Sequence, residues 1–159
     1  MSEWYLPLKL LHILSSTVLF GTGIGTAFSM WRAHVGGDPR AIAATSRSVV
    51  LADWLFTTPA VIVQPLTGLA MISILGYPWT AAWLVASYAL YVLVGLCWLP
   101  VVGLQLRMRR LANAAVERGE PLPGSYHRSF ALWFALGWPA FAGVVAIYAL
   151  MVWKPPLWD

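Results

Sequence analysis

Four long apolar stretches, separated by short polar connections, take up nearly the whole 159-residue chain. A helix needs about 20 apolar residues to cross about 30 Å of hydrocarbon, so four crossings leave no room for a separate soluble domain. Only 10% of the residues are charged, whereas about a quarter are charged in an ordinary soluble domain. The sequence therefore predicts an all-α integral membrane four-helix bundle, with residues 1–159 forming a single transmembrane domain.

The predicted spans follow the apolar runs and end where Gly and Pro residues interrupt them. They cover about residues 4–31, 49–75, 79–106 and 129–153. The first span has no basic segment before it and is too long for a cleavable signal, so we expect it to be retained as a helix.

The basic residues predict the orientation of the bundle. Eight of the ten lie towards one side of the spans: Arg32, Arg40, Arg47, Arg107, Arg109, Arg110, Arg118 and Arg128. Because Lys and Arg are enriched in cytoplasmic loops, we expect both arginine-containing loops in the cytoplasm and both chain ends outside (N-out/C-out). We expect a multi-pass protein of a bacterial inner (plasma) membrane. No basic domain surface is available to contact the phosphates of a nucleic acid, so we expect no nucleic-acid partner. The expected partners are the lipid bilayer and either another copy of the chain or a membrane partner protein.

Polar side chains inside the spans are the candidate functional residues, because they are expensive at membrane depth. In the first span, Lys9, His12 and Ser16 share one helix face. At about 1.5 Å rise per residue, His12 and Thr67 each lie roughly 12 Å below the outer ends of their spans. The same rule predicts a polar cluster at this level: Ser16, Gln64, Thr67, Ser87, Tyr88 and Tyr148. Asp53 lies nearer the cytoplasmic end, where we expect Arg47 or an arginine of the third loop to pair with it.

His12 has two interpretations, a hydrogen-bonded neutral imidazole or an axial ligand to haem iron. His34 and His127 lie about 25 Å or more away by span length, so they cannot join His12 in one site. No metal other than a haem iron at His12 is expected. The candidate cofactor-binding residues are His12, Lys9, Met71, Met151 and Tyr148.

Five short segments are distinctive, in this order: Lys9-Leu10-Leu11-His12, Thr58-Pro59-Ala60, Gly68-Leu69, Trp83-Leu84, and the run from Pro139 to Val152-Trp153-Lys154-Pro155. Their order along nearly the whole chain resembles the HemJ-type protoporphyrinogen oxidases, which are four-helix haem b membrane enzymes. The sequence resembles more closely a bacterial family described as predicted integral membrane proteins of unknown function.

The HemJ resemblance implies haem b at His12, with Lys9 one turn before it. The third-helix lysine of that family falls on Ser87 and its later histidine on Trp98. The family's Asn-Glu-x-Pro motif falls on Leu136-Gly137-Trp138-Pro139. Porphyrinogen oxidation needs acid–base groups close to the substrate, and most of those positions are not ionisable here. The resemblance therefore predicts the architecture but not protoporphyrinogen oxidase activity.

Three functions remain as alternatives. The first is a non-catalytic accessory or partner-binding membrane protein, which suits the low polar content. The second is a b-type haem protein with an electron-transfer or oxidoreductase role. The third is a transporter for a small solute, whose pathway forms either by oligomerisation or by opening of a cavity at the stripe of Asp53, Gln64 and Thr67. No catalytic residue is assigned.

Overall fold

The computed structural model describes residues 3–158 of the chain and contains only helices within that range. The elements are α1 (Tyr5–Gly36), α2 (Pro39–Ala52), a π-helical segment (Asp53–Thr57), α3 (Thr58–Leu75), α4 (Ala82–Arg118) and α5 (Gly124–Trp153). Because α2, the π-helical segment and α3 are continuous, the described residues form four helices that are long and apolar enough to cross a membrane. The prediction of an all-α membrane protein with four spans is confirmed.

Local sequence explains where the helices end. Gly37, Gly76 and Gly119 come directly after α1, α3 and α4 with positive φ angles of 71°, 68° and 65°. This left-handed conformation is the usual helix stop and favours glycine. At the start of α2, the Asp38 side chain accepts a hydrogen bond from the backbone N–H of Arg40 at 2.9 Å. Each connection is therefore short and locally specified.

The arginines lie in helices, where the sequence predicted loops. α1 continues to Gly36, α2 begins already at Pro39, and α4 continues to Arg118, well beyond its apolar part. Arg and Lys are good helix formers, so the helices continue after the apolar residues stop. We call the end of the bundle that carries these arginines the basic end, and the end with residues 3 and 158 the opposite end.

Two buried clusters hold the helices together. The larger lies at the basic end and joins α1, α2, α4 and α5 through Met30, Ile42, Ala43, Val49, Met108, Ala112, Tyr126, Phe130 and Trp133. The smaller lies at the opposite end, where Ile72 of α3 packs on Trp83 and Leu84 of α4. The clustered buried apolar side chains thus lie towards the two ends of the bundle.

Individual aromatic side chains bridge the helices between the two clusters. Phe20 of α1 stacks on Phe141 of α5 with ring centroids 5.2 Å apart. The Tyr91 hydroxyl of α4 donates a hydrogen bond to the Val61 carbonyl of α3. These bridges keep the bundle together at the depth where polar residues occur.

Candidate functional site

At membrane depth, the imidazole of His12 contacts polar side chains of a neighbouring helix with both of its ring nitrogens. Its Nδ1 lies 2.9 Å from the Thr67 hydroxyl oxygen, and its Nε2 lies 3.2 Å from the side-chain nitrogen of Gln64. His12 is on α1, whereas Gln64 and Thr67 are one turn apart on α3. The imidazole therefore connects these two helices through both ring nitrogens.

The partners of Thr67 determine which ring nitrogen of His12 carries the proton. The Thr67 hydroxyl donates to backbone carbonyls of its own helix, at 2.8 Å for Val63 and 3.1 Å for Gln64. Its oxygen is then free to accept from Nδ1–H of His12, while the Gln64 amide N–H donates to Nε2. This assignment makes His12 a neutral imidazole with no free nitrogen.

Ser15 completes this set of contacts. Its hydroxyl lies within hydrogen-bond distance of the Gln64 side-chain oxygen and 3.0 Å from the His12 carbonyl oxygen. Ser15 is buried. We call His12, Ser15, Gln64 and Thr67 the His12 network. Sequence analysis chose Ser16 instead of Ser15, although the three-residue spacing from His12 to Ser15 also places two side chains on one helix face.

Gly68 allows α3 to approach the imidazole closely. A Cβ atom at this position would lie 3.2 Å from Cε1 of His12, which is tighter than ordinary van der Waals contact. A glycine here thus lets the ring lie directly against the helix that supplies both of its partners.

The other predicted cluster residues lie outside the His12 network. The Ser16 hydroxyl donates to the Ile13 carbonyl at 2.8 Å, and the Ser16 carbonyl accepts from the Tyr148 hydroxyl at 2.7 Å. The Ser87 hydroxyl is buried and donates to Trp83 of its own helix at 2.7 Å. The Tyr88 hydroxyl is buried without a hydrogen-bond partner among residues 3–158. Only part of the predicted cluster is joined by hydrogen bonds.

In the described part of the chain, none of the additional haem-ligand candidates forms a hydrogen bond with the His12 imidazole. The Lys9 ammonium lies 5.8 Å from the Tyr5 ring centroid. Met151 packs against the cluster at the opposite end, and Met71 is half-buried on α3. Iron ligation by Nε2 of His12 would first require the Gln64 amide to move away. With both ring nitrogens of His12 engaged by α3, these residues do not fit a haem as they are arranged here. Haem binding stays an alternative based on the sequence alone.

Asp53 forms a second polar site, and its predicted ion pair is wrong. Its Oδ1 accepts a hydrogen bond from the Thr57 hydroxyl at 2.8 Å. Arg47, the expected partner, instead donates to the side-chain oxygen of Asn113 at 3.0 Å. Within residues 3–158 the one salt bridge joins Arg118 and Glu120. The two residues are close in the sequence, but this does not show that the Arg47 side chain points towards α4 and not towards Asp53.

A shallow groove of about 210 Å³ runs between α1 and α2. Small and hydroxyl-bearing residues line it: Gly25, Thr26, Ser29, Thr45, Ser48, Val49 and Ala52. It is separate from the His12 network, which connects α1 to α3. The groove was not predicted from the sequence.

Comparison with known proteins identifies one family. The family described as "Predicted integral membrane protein (DUF2269)" matches residues 6–155. Neither the curated proteins nor the solved structures contain a match. The relationship to the HemJ-type oxidases stays a resemblance.

Proposed function

The chain belongs to the DUF2269 family of predicted integral membrane proteins, and we propose that it is an accessory subunit of a protein complex in the inner membrane. In this role it binds a transmembrane helix of a partner protein in the groove between α1 and α2. The observation that carries the proposal is a row of small residues on α1 that no other helix of the chain covers.

The row consists of Gly21, Gly25 and Ser29, at steps of four residues and therefore on one face of α1. All three are exposed, and a Cβ atom added to either glycine would meet nothing within 4 Å. In lipid, helices associate largely through close backbone packing at such positions, because hydrophobic burial gives no driving force there. This face of α1 suits the close approach of another helix.

The groove also offers hydrogen-bonding groups to a bound helix. Thr26 and Ser48 use their hydroxyl protons on backbone carbonyls of their own helices, at 2.8 and 3.3 Å, which leaves their oxygens able to accept. Hydrogen bonds between membrane helices contribute about 0.6 kcal/mol each on average. Several such bonds, together with close packing, support a specific complex.

The two rival functions have less support. In a haem protein His12 needs a free nitrogen, yet Thr67 and Gln64 occupy both. In a transporter the polar stripe of α3 must face a pathway, whereas the side chains of Gln64 and Thr67 form hydrogen bonds with residues of α1. Both functions require the His12 network to open, whereas binding a partner helix does not.

Site-specific photo-crosslinking in native membranes tests the proposal. A photoreactive residue replacing Ser29 or Thr45, which line the groove, is expected to give a discrete crosslinked protein. The control is Leu99, whose side chain is 64% exposed and is expected to react only with lipid. Crosslinking to lipid alone at all three positions would contradict the proposal. A crosslinked band at twice the mass of the chain would identify the partner as a second copy.

A matched pair of glycine variants identifies the surface. Gly25→Leu places a large side chain in the groove and is expected to abolish the crosslink from Thr45. Gly103→Leu is the control, because Gly103 is also an exposed helical glycine with open space around its Cβ position. Equal loss of the crosslink in both variants would show that the groove has no special role.

A further inference from the structure

Asp53 is a carboxyl group inside the bundle that the proposed partner-binding role does not use. It is 7% exposed and begins the π-helical segment between α2 and α3. This segment packs against α1 and α2, and the buried side-chain amide of Gln105 from α4 lies beside the carboxyl. Asp53 is therefore enclosed by protein near the basic end of the bundle.

The carboxyl has only part of its hydrogen-bonding capacity satisfied. Oδ1 accepts from Thr57, whereas Oδ2 is buried without a geometrically acceptable hydrogen bond within residues 3–158. An ionised carboxylate accepts at both oxygens, whereas a carboxylic acid also donates one hydrogen bond. The unpaired Oδ2 is therefore where a proton would be bound.

Within residues 3–158, no basic side chain forms a salt bridge with Asp53. The neighbouring helices carry these basic groups towards the same end: Arg32 and His34 on α1, Arg40 and Arg47 on α2, and Arg107, Arg109 and Arg110 on α4. A buried charge without a partner costs several kcal/mol, so a bound proton is the less expensive state.

We propose that Asp53 is a proton-binding site at membrane depth and that Gln105 is its partner in both protonation states. A glutamine amide presents either an oxygen, which accepts from a carboxylic acid, or an NH₂ group, which donates to a carboxylate. Rotation of the amide by a half turn exchanges the two. Gln105 thereby allows the carboxyl to gain and lose a proton without a large rearrangement.

The π-helical segment positions this carboxyl. The Asp53 carbonyl accepts from the backbone N–H of Thr58, five residues later, and also from the Thr58 hydroxyl at 3.0 Å. One extra residue in a helical turn rotates the next part of the helix by about 100° relative to a regular α-helix. Here Asp53 and Thr57 both become buried. Such π-bulges are frequent at functional sites.

Labelling with dicyclohexylcarbodiimide tests the site. This apolar reagent adds to protonated carboxyl groups within membranes and leaves a stable N-acylurea, which is detected by peptide mass spectrometry. With the full chain in lipid vesicles, we expect an adduct on Asp53 at neutral pH that decreases as the pH is raised. Asp53→Asn should carry no adduct at that position. The exposed carboxyls of Asp38, Glu117 and Glu120 are internal controls that should stay unlabelled at neutral pH.

The role of Gln105 is tested by the pH at which labelling is lost. Gln105→Leu removes the group that donates to the carboxylate, so labelling is expected to persist to higher pH. Ser87→Ala is the control, since it removes another buried polar side chain of α4, one that donates only to the Trp83 carbonyl of its own helix, and it should leave the pH profile unchanged. Equal shifts in the two variants would overturn the role of Gln105.

Infrared spectroscopy covers the case in which the reagent does not reach the site. A protonated carboxyl gives a carbonyl stretching band that a carboxylate lacks, and this band should disappear in Asp53→Asn. The band without an adduct supports the proposal. If folded protein shows neither the adduct nor the band at neutral pH, Asp53 is ionised there and the proposal is wrong.

Discussion

Replacing Thr67 by Val tests the His12 network most directly, because the two side chains have nearly the same shape and differ by one hydroxyl. The change leaves Nδ1–H of His12, which lies 2.9 Å from the hydroxyl oxygen, without an acceptor at membrane depth. An unpaired buried donor costs about 1–3 kcal/mol, and interhelical hydrogen bonds in membranes reach at most about 1.7 kcal/mol. We therefore expect a destabilisation of about 1–2 kcal/mol, a factor of about 5–30 in the folding equilibrium.

The assay is thermal unfolding in mild detergent, monitored by far-ultraviolet circular dichroism. A domain of 150–250 residues loses about 2–4 °C in Tm per kcal/mol, so Tm should fall by about 2–8 °C. The matched control is Thr17→Val, because the Thr17 hydroxyl donates only to the Ile13 carbonyl of its own helix, at 2.9 Å. Thr17→Val should change stability by no more than about 0.5 kcal/mol.

A double-mutant cycle separates the hydrogen bond from general packing. In a His12→Phe background the imidazole is gone, so Thr67→Val should have little further effect. The expected coupling energy between the two positions is about 0.5–2 kcal/mol. The reasoning is refuted if Thr67→Val and Thr17→Val destabilise equally, or if the two changes at positions 12 and 67 are additive.

Helix packing, haem binding and orientation can each be tested separately. A Cβ at Gly143 would lie 2.6 Å from Cγ2 of Val94, so Gly143→Ala should destabilise by about 1–3 kcal/mol in thermal unfolding, and Val94→Ala should restore part of the loss. Protein purified from cells supplied with a haem precursor should show no haem b absorption; a stoichiometric haem signal that is lost in His12→Ala would instead establish the haem alternative. With both arginine-rich connections in the cytoplasm, a cysteine replacing exposed Glu120 should resist membrane-impermeant thiol reagents in intact cells and one replacing exposed Thr80 should react. The opposite pattern would invert the predicted orientation.

The membrane class of this fold can be predicted from sequence because hydrocarbon thickness directly constrains the length of an apolar run. Helix ends were predicted less well. The stretch from Ala82 to Arg118 is one helix of 37 residues, but its polar second part has no apolar run to mark it. Hydropathy thus detects where a helix is in lipid, whereas backbone hydrogen bonding determines where it stops.

The sequence predicted the depth of the candidate site in the membrane, but not the directions of its side chains around the helix axes. Rise per residue places His12 and Thr67 at the same level, and the structure brings their side chains together. Rise alone cannot distinguish Ser15 from Ser16, because neighbouring residues differ by about 100° around the helix axis. The same limitation applies to Asp53. The direction of its side chain depends on a π-helical segment, which no residue type in the sequence predicts.

The bond between His12 and Thr67 joins positions 55 residues apart, which has a consequence for how the protein is made. At about 5–20 residues per second, synthesis of the intervening chain takes roughly 3–11 s. Because the chain leaves the ribosome in sequence order, α1 emerges ahead of its α3 partner by the same interval. The imidazole must then remain in contact with water, the lipid interface or the insertion machinery. Variants at Thr67 or Gln64 are therefore expected to prolong the time during which the imidazole has no partner on α3. They should lower the yield of inserted protein in addition to destabilising the folded bundle.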